Sequence, residues 1–219
     1  GPGVRATRAF IEALGALGNY YHGQYEGGNR DVISALAAEE ANLLHARSLA
    51  RANGWWRAAI STMQGLHMLH VHTGRRAEWA RLVNEIVPDF VDPMTDGPLP
   101  GREEQWGLVT EYRVRLAGEA RQWAEAERLQ RVCIEWDRRR AAPALAVPPE
   151  SLDASQRNAI RTLAVSIEQF GHILREQGKV ECATVYEEAI QFYQRMANRP
   201  AEAVAAFNLG HAYMLLPAL

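Results

Sequence analysis

Nine stretches of the chain place apolar residues and alanines three and four positions apart, and helix-breaking residues separate these stretches. This spacing puts the apolar side chains on one face of an α-helix. The helices are expected at about 4–24, 31–53, 55–73, 77–90, 102–118, 122–145, 152–177, 180–198 and 201–216. No segment alternates at period two, as a half-buried strand would. The sequence therefore predicts an all-α protein.

Glycine, proline and capping residues mark the ends of these predicted helices. Gly54 and Gly74 follow the second and third helices, where a helix commonly closes in the left-handed conformation that glycine adopts without strain. Three prolines and two glycines fall within VDPMTDGPLPG, which predicts a surface loop over residues 92–101. Ser151 and Asp153 are both candidate N-caps of the seventh helix.

These breaks divide the chain into a series of helical segments. The first three residues, Gly-Pro-Gly, are typical of the remnant of a protease-cleavage tag. In chain order, the divisions are a tag remnant at 1–3, N-terminal helical hairpins at 4–91, the loop at 92–101, a central helical hairpin at 102–146, a proline-rich linker at 147–151 and C-terminal repeats at 152–219. Short turns between long helices favour antiparallel pairs stacked in series, hence one continuous helical-repeat domain excised from a longer protein.

Composition and charge argue against several classes of protein. Hydrophobic residues make up 47% of the 219 residues, which is enough for a folded core. The 24 basic and 26 acidic residues give a net charge of -2, so no positive field favours nucleic acid or an anionic membrane. No apolar run reaches the roughly 18 residues of a membrane helix. Cys133 and Cys182 lack metal-ligand spacing and are expected to be reduced core residues of a cytoplasmic protein.

Two of the predicted helices carry the same short pattern. Each of the pairs Gly171-His172 and Gly210-His211 is followed within two positions by an apolar residue. The two glycines are 39 residues apart. A small residue inside a helix lets a neighbouring helix approach closely. The pattern therefore indicates an internal repeat built from packed helices.

Residues 164–215 resemble the tetratricopeptide repeat (TPR), whose first helix carries Leu-Gly and an aromatic residue and whose second carries small, aromatic and small residues. In KVECATVYEEAI the second helix supplies Cys182 or Ala183, then Tyr186 and Ala189. The spacing of 39 residues is longer than the standard repeat of about 34. The resemblance implies antiparallel helical hairpins stacked as a right-handed solenoid of about nine helices.

A second resemblance lies nearer the N-terminus, in LAAEEANLLHARSLARANGWW. This stretch is similar to the segment that opens the helical-repeat region of bacterial STAND-class signalling ATPases, where Glu-x-x-Asn-Leu-x-x-Ala recurs. The corresponding residues here are Glu39, Asn42, Leu43 and Ala46. The resemblance implies the TPR arm of a large bacterial signalling or defence protein, in which the arm senses a partner and another domain carries the chemistry.

In such a solenoid the inner helices line a concave groove that binds a protein or peptide. The residues implied to face this groove are Glu168, Gln169, His172, Arg175, Phe207, Asn208 and His211. We therefore expect a non-enzymatic interaction or sensor module whose partner is a protein, a peptide or another domain of the same parent protein. Two alternatives stay open: a structural module that packs on the parent's own effector domain and keeps it inactive, and a solvated groove that binds nothing in isolation.

His67, His70 and His72 are the sharpest candidates for chemistry. On a helix, His67 and His70 lie about 60° apart and could share a metal ion, but His72 lies about 140° and 160° from them. Three ligands therefore cannot converge from this helix, and no His-Glu-x-x-His pattern is present. We expect a packed or interface histidine at position 70 and no metal site.

Other candidate chemistry is weaker. Cys182 with His172 could supply the nucleophile and base of a cysteine hydrolase, but a third, orienting group is not evident. No glycine-rich phosphate-binding motif is present. We therefore expect neither a cofactor nor enzymatic activity, and an α-helical enzyme that uses His67, His70 or Cys182 is the least favoured alternative.

Overall fold

A computed structural model describes residues 2–216, and these residues form nine α-helices. In chain order they are α1 Pro2–Glu26, α2 Val32–Ala52, α3 Trp56–His72, α4 Arg76–Phe90, α5 Glu103–Glu119, α6 Trp123–Leu145, α7 Ala154–Glu176, α8 Cys182–Arg195 and α9 Arg199–Leu215. One short 3-10 turn, Pro149–Ser151, precedes α7. No strand is found in the described residues beyond a lone antiparallel bridge between Val91 and Pro98. The predicted all-α class is confirmed.

The two ends of the chain bear on the predicted divisions. Gly1 of the predicted tag remnant and residues 217–219 of the predicted C-terminal repeats lie outside the described residues. Pro2 and Gly3, also in the predicted remnant, belong to α1.

Three helix ends have the capping residues that the sequence predicted. Gly54 and Gly74 adopt φ of +66° and +73°, the left-handed conformation predicted for both. Of the two candidate caps, Asp153 precedes α7 and accepts a hydrogen bond from the backbone N–H of Gln156. The Gln156 side chain accepts one from the Asp153 N–H in return, which completes a capping box.

The described chain forms two compact units. The first contains the residues up to Val91 together with Pro98–Val109, and the second contains Asp92–Gly97 together with the residues from Thr110 onward. In the first unit α1, α2 and α3 pack against one another, and α4 packs against α3. The largest fully buried side chains of this unit are Ile11, Leu36, Leu43, Met63, Leu66, Leu69, Trp79, Leu82, Phe90 and Trp106.

Helices α1 and α3 approach each other at glycine. A Cβ atom added at Gly18 would lie 3.1 Å from the backbone nitrogen of Gly65 and 3.2 Å from its Cα. One turn earlier on α1, a Cβ added at Gly15 would lie 2.8 Å from the Cβ of Ser61. The two backbones therefore approach closely at Gly18 and Gly65, and an added side chain at Gly15 or Gly18 would push the helices apart.

In the second unit each helix from α6 to α9 packs against the next one in the chain. Its main core joins residues of α6, α7, α8 and α9: Ile134, Ala141, Leu163, Ala164, Ile167, Phe170, Leu174, Cys182, Tyr186, Ala189, Tyr193, Ala205 and Ala212. A Cβ added at Gly171 would lie 2.7 Å from Cε1 of Tyr186. The predicted role of this glycine, to admit a neighbouring helix, is confirmed.

Glu127 of α6 ties this helix to the turn between α7 and α8. Its carboxylate accepts hydrogen bonds from Lys179 Nζ at 2.6 Å, Arg131 at 2.8 Å and Gln177 Nε2 at 3.0 Å. The bond from Lys179, with further bonds from Arg131 and Gln177, lowers the pKa of Glu127 to about 2. Glu127 is therefore ionised in the folded protein at any pH in ordinary use.

We expect this carboxylate to make the second unit sensitive to acid. Its folded pKa lies below the unfolded value of 4.5, so its contribution to stability is fully present above pH 4.5 and is lost as the pH falls toward 2. Glu127→Gln should lower the free energy of unfolding by roughly 2 kcal/mol at pH 7, allowing for the exposure of its partners. Urea unfolding of both proteins from pH 7 to pH 3 measures this, and the difference should shrink below pH 4.5. If the difference in unfolding free energy were the same at every pH, the substitution would act through altered packing and not through the lost charge.

Candidate functional site

The three clustered histidines of α3 contact three different helices. The pairs are His67 with Trp79 of α4, at 4.7 Å between ring centroids, His70 with Glu40 of α2, and His72 with Tyr25 of α1. In the part of the chain that the structure describes, no group of three or more His, Cys, Asp or Glu side chains is arranged to hold a metal ion. The three histidine side chains therefore point toward different helices, as their predicted angles around α3 indicated.

His70 is a buried, hydrogen-bonded histidine. Its ring is 1% exposed, and Nε2 lies 2.8 Å from Oε1 of Glu40. Glu40 also accepts a hydrogen bond from Arg75 at 2.7 Å, and this bond, with that of His70, holds the pKa of Glu40 below its usual value. The carboxylate therefore braces α2 against α3 and the start of α4. The sequence did not signal this role of Glu40.

The geometry opposes a nucleophilic role for Cys182. Its side chain is fully buried, and burial raises the pKa of the thiol, so the reactive thiolate is disfavoured. His172, the candidate base, hydrogen-bonds through Nδ1 to the hydroxyl of Tyr186 at 2.8 Å. Burial, together with nearby Arg175, lowers the pKa of His172 and favours the neutral imidazole.

The residues predicted to face a groove lie on α7 and α9, and several of them link the two helices. Glu168 of α7 accepts a hydrogen bond from Nδ2 of Asn208 of α9 at 2.9 Å. Its other oxygen accepts one from the hydroxyl of Tyr193 of α8, also at 2.9 Å. Gln169 is half-buried beside Glu168 on α7. The Glu168 carboxylate therefore links α7, α8 and α9 at one point.

A second link lies two turns along α7, at Arg175. One guanidinium nitrogen lies 3.5 Å from Nδ1 of His211, and another lies 3.3 Å from the adjacent Glu176. The His211 ring stacks on Phe207 with 6.4 Å between centroids and 22° between planes. Phe207 is 74% exposed, so the His211 ring lies between a large exposed apolar ring and the Arg175 guanidinium.

Arg175 is only partly satisfied by its neighbours. Its side chain is 14% exposed, and its Nε is buried without a hydrogen-bond acceptor in the described residues. Both contacts of its terminal nitrogens are long for charge-assisted hydrogen bonds, which usually measure about 2.7–2.9 Å. The terminal nitrogens of Arg175 therefore make only long contacts within the described residues.

Two buried tyrosines of α8 bond to residues of α7; the sequence predicted Tyr186 only as a packing residue and gave no prediction for Tyr193. Tyr186 and Tyr193 are buried, and their hydroxyls bond to His172 and Glu168. Burial raises the pKa of Tyr186 to about 12, so its hydroxyl stays neutral. The small-aromatic-small pattern indicated that α8 packs on α7, but it carries no signal for the partners of the hydroxyl groups.

The first unit contains a separate cleft of about 490 Å³ between α1 and α3. Trp55 and Trp56 line it, with Arg8, which is paired to Glu12 at 2.8 Å and lies 5.9 Å from the Trp55 ring centre. These tryptophans are half-buried, unlike the core residues Trp79 and Trp106. Within the lining of the cleft, Arg8 is paired with Glu12, and Arg57 is a second arginine.

None of the helices described between residues 2 and 216 combines the length and the apolarity needed to cross a bilayer. No family model matches the chain, and comparisons with curated proteins and with solved structures find no match either.

Proposed function

We propose that this chain is a non-enzymatic protein-interaction or sensor module, a TPR-like arm of a larger bacterial signalling or defence protein. Its helices stack as antiparallel hairpins in a right-handed solenoid, and its partner is a protein or peptide that lies along α7 and α9. The observation that carries the proposal is the mostly buried, partly satisfied Arg175, which His211 connects to the exposed ring of Phe207.

The order of contacts between helices supports a stacked arrangement. In the first unit α3 packs against both helices of the preceding pair, α1 and α2. In the second unit α7 packs against the preceding α6 and the following α8, and α8 packs against α9. Contacts between elements that are close in sequence are typical of helical-repeat proteins, in which each repeat touches only its neighbours.

The chemistry of the surface favours a peptide that carries a carboxylate and an apolar side chain. Arg175 offers a guanidinium, the geometry best suited to bind a carboxylate through two hydrogen bonds. Phe207, which is 74% exposed, offers a ring for an apolar contact. Glu168, bound to Asn208 and Tyr193, holds α7 in place against α8 and α9.

A peptide-binding measurement tests this proposal. Peptides selected from a random library on the purified chain are expected to contain an acidic residue and to bind with a micromolar Kd. Arg175→Met keeps the buried stem of the side chain and removes the charge, and it should weaken binding by about tenfold or more. The matched control is Arg57→Met, which removes an exposed arginine of the first unit and should leave binding unchanged.

Two results would count against the proposal. One is selection of no peptide, and the other is peptides whose affinity is equal for the unmodified chain and for Arg175→Met. Circular dichroism melting of each variant separates loss of binding from loss of fold.

A further inference from the structure

We infer that the exposed face of α9 around Phe207 and Gly210 is a self-association surface, on which Phe207 of one copy of this chain packs against Gly210 of a second copy and the reverse. The inference goes beyond the proposed peptide groove because it concerns a different partner, a second copy of the chain, although Phe207 contributes to both surfaces. Its support comes from the way in which α8 covers α7 within the same unit.

The contact between α7 and α8 shows which helix face covers a glycine. On α7, Ala164, Ile167, Gly171 and Leu174 are buried together with residues of α8. The ring of Tyr186 lies against the backbone at Gly171, so close that an added Cβ would be 2.7 Å from it. On α8 this tyrosine is flanked by two small buried residues, Cys182 four positions before it and Ala189 three positions after it.

The equivalent face of α9 is uncovered. The residues that lie 39 positions after the buried face of α7 are Ala203, Ala206, Gly210 and Tyr213. All four are exposed, with Tyr213 at 47%. A Cβ added at Gly210 would have no atom within 4 Å, in contrast to Gly171. The repeat therefore leaves at Gly210 the space that Tyr186 fills at Gly171.

The composition of α9 shows that this face is suited to an apolar neighbour. From Ala203 to Leu215 the sequence contains no Asp, Glu, Lys or Arg. Phe207, Met214, Val204 and Leu215 are 74%, 82%, 56% and 55% exposed. Several large apolar side chains exposed on one helix are typical of an interaction site in a folded protein.

A second copy of α9 has the residues that fit this face. Phe207 is flanked by Ala203 four positions before it and by Gly210 three positions after it, the same small-aromatic-small spacing with which α8 covers α7. The helix thus carries both the exposed ring and the open glycine. Two antiparallel α9 helices related by a two-fold axis place each ring on the other copy's glycine, which is a self-complementary contact.

Sedimentation equilibrium of the purified chain between about 1 and 500 μM tests this inference. We expect a dimer that dissociates at a micromolar to tens-of-micromolar concentration, since this surface is small compared with obligate dimer interfaces. Phe207→Ala and Gly210→Leu should each raise the dimer dissociation constant by about tenfold or more. Both positions are exposed, so both variants are expected to fold.

Matched controls lie on α1 of the first unit. Tyr20→Ala removes another exposed aromatic ring, and Gly23→Leu fills another open glycine within a helix. Both should dimerise as the unmodified chain does. A chain that stays monomeric to 500 μM would overturn the inference, and so would a dimer that tolerates Phe207→Ala and Gly210→Leu.

Binding of a different helix, and not of a second copy of α9, to the exposed face of α9 would also overturn the inference. It would be detected if a peptide of residues 179–198, which contains the α8 pattern, bound a monomeric chain and shifted the Gly210 amide resonance. The proposed peptide groove fails separately from the dimer: a Gly210→Leu monomer that still binds the selected peptides through Arg175 would uphold the groove whatever the oligomeric state.

Discussion

Gly18→Leu is expected to lower the free energy of unfolding of the first unit by about 3 kcal/mol or more, because a side chain placed in a close-packed contact forces the two helices apart. At Gly18 the neighbouring atoms are the backbone nitrogen and Cα of Gly65, at 3.1 and 3.2 Å from the added Cβ. Backbone atoms cannot turn aside as the end of a flexible side chain can. The backbones of α1 and α3 must therefore separate at this point, which weakens the apolar contacts around it.

Gly23→Leu is the matched control for this prediction. It lies on the same helix, and a Cβ added there meets no atom within 4 Å. Leucine favours the helix over glycine by roughly 0.8 kcal/mol, so the control should be neutral or slightly stabilising. Urea unfolding, with hydrogen exchange of the α1 amides to locate the effect, measures both variants. Equal stability of the two would show that α1 and α3 are not in close contact.

The positions of the helices could be predicted from the sequence because the signals are local. Apolar spacing gives the helices themselves, and Gly54 and Gly74 give two of the turns. Arg121 and Ala197 adopt the same left-handed backbone, with φ of +56° and +53°, yet no glycine stands there to show it. The close contact of α1 with α3 was also not predicted, since it depends on which of several glycines meet across the helices.

The candidate site was predicted only as a set of positions. The repeat resemblance implied that His172, Arg175 and His211 face one groove, and helical periodicity puts His172 and Arg175 of α7 on one face. The partners of those side chains depend on the third helix, α8, whose Tyr193 reaches Glu168 across a distance of 25 residues in sequence. Similarly, Glu39 and Glu40 are adjacent and look equivalent in the sequence. Only the packing of α2 on α3 shows that Glu40 is the one that bonds to His70.

Gly171→Ala and Gly210→Ala are expected to change stability in opposite directions, although the two glycines occupy the same position in the repeat. At Gly171 the new methyl group would lie 2.7 to 3.0 Å from three ring atoms of Tyr186. That ring is fully buried and its hydroxyl is bonded to His172, so it cannot move without loss. We expect Gly171→Ala to lower the free energy of unfolding by about 2 kcal/mol, the ordinary cost of overpacking.

At Gly210 the new methyl group meets nothing within 4 Å, and alanine favours a helix by up to about 1 kcal/mol over glycine. Gly210→Ala should therefore stabilise the dilute, monomeric protein, as measured by urea unfolding at about 1 μM with hydrogen exchange at α9. At concentrations where α9 pairs with a second copy, the methyl group would meet Phe207 of that copy and the gain should shrink or reverse, since association stabilises only the form that binds. A gain that is the same at every concentration would mean that Gly210 stays open to solvent. A loss even in the dilute protein would mean that the glycine is needed for α9 itself.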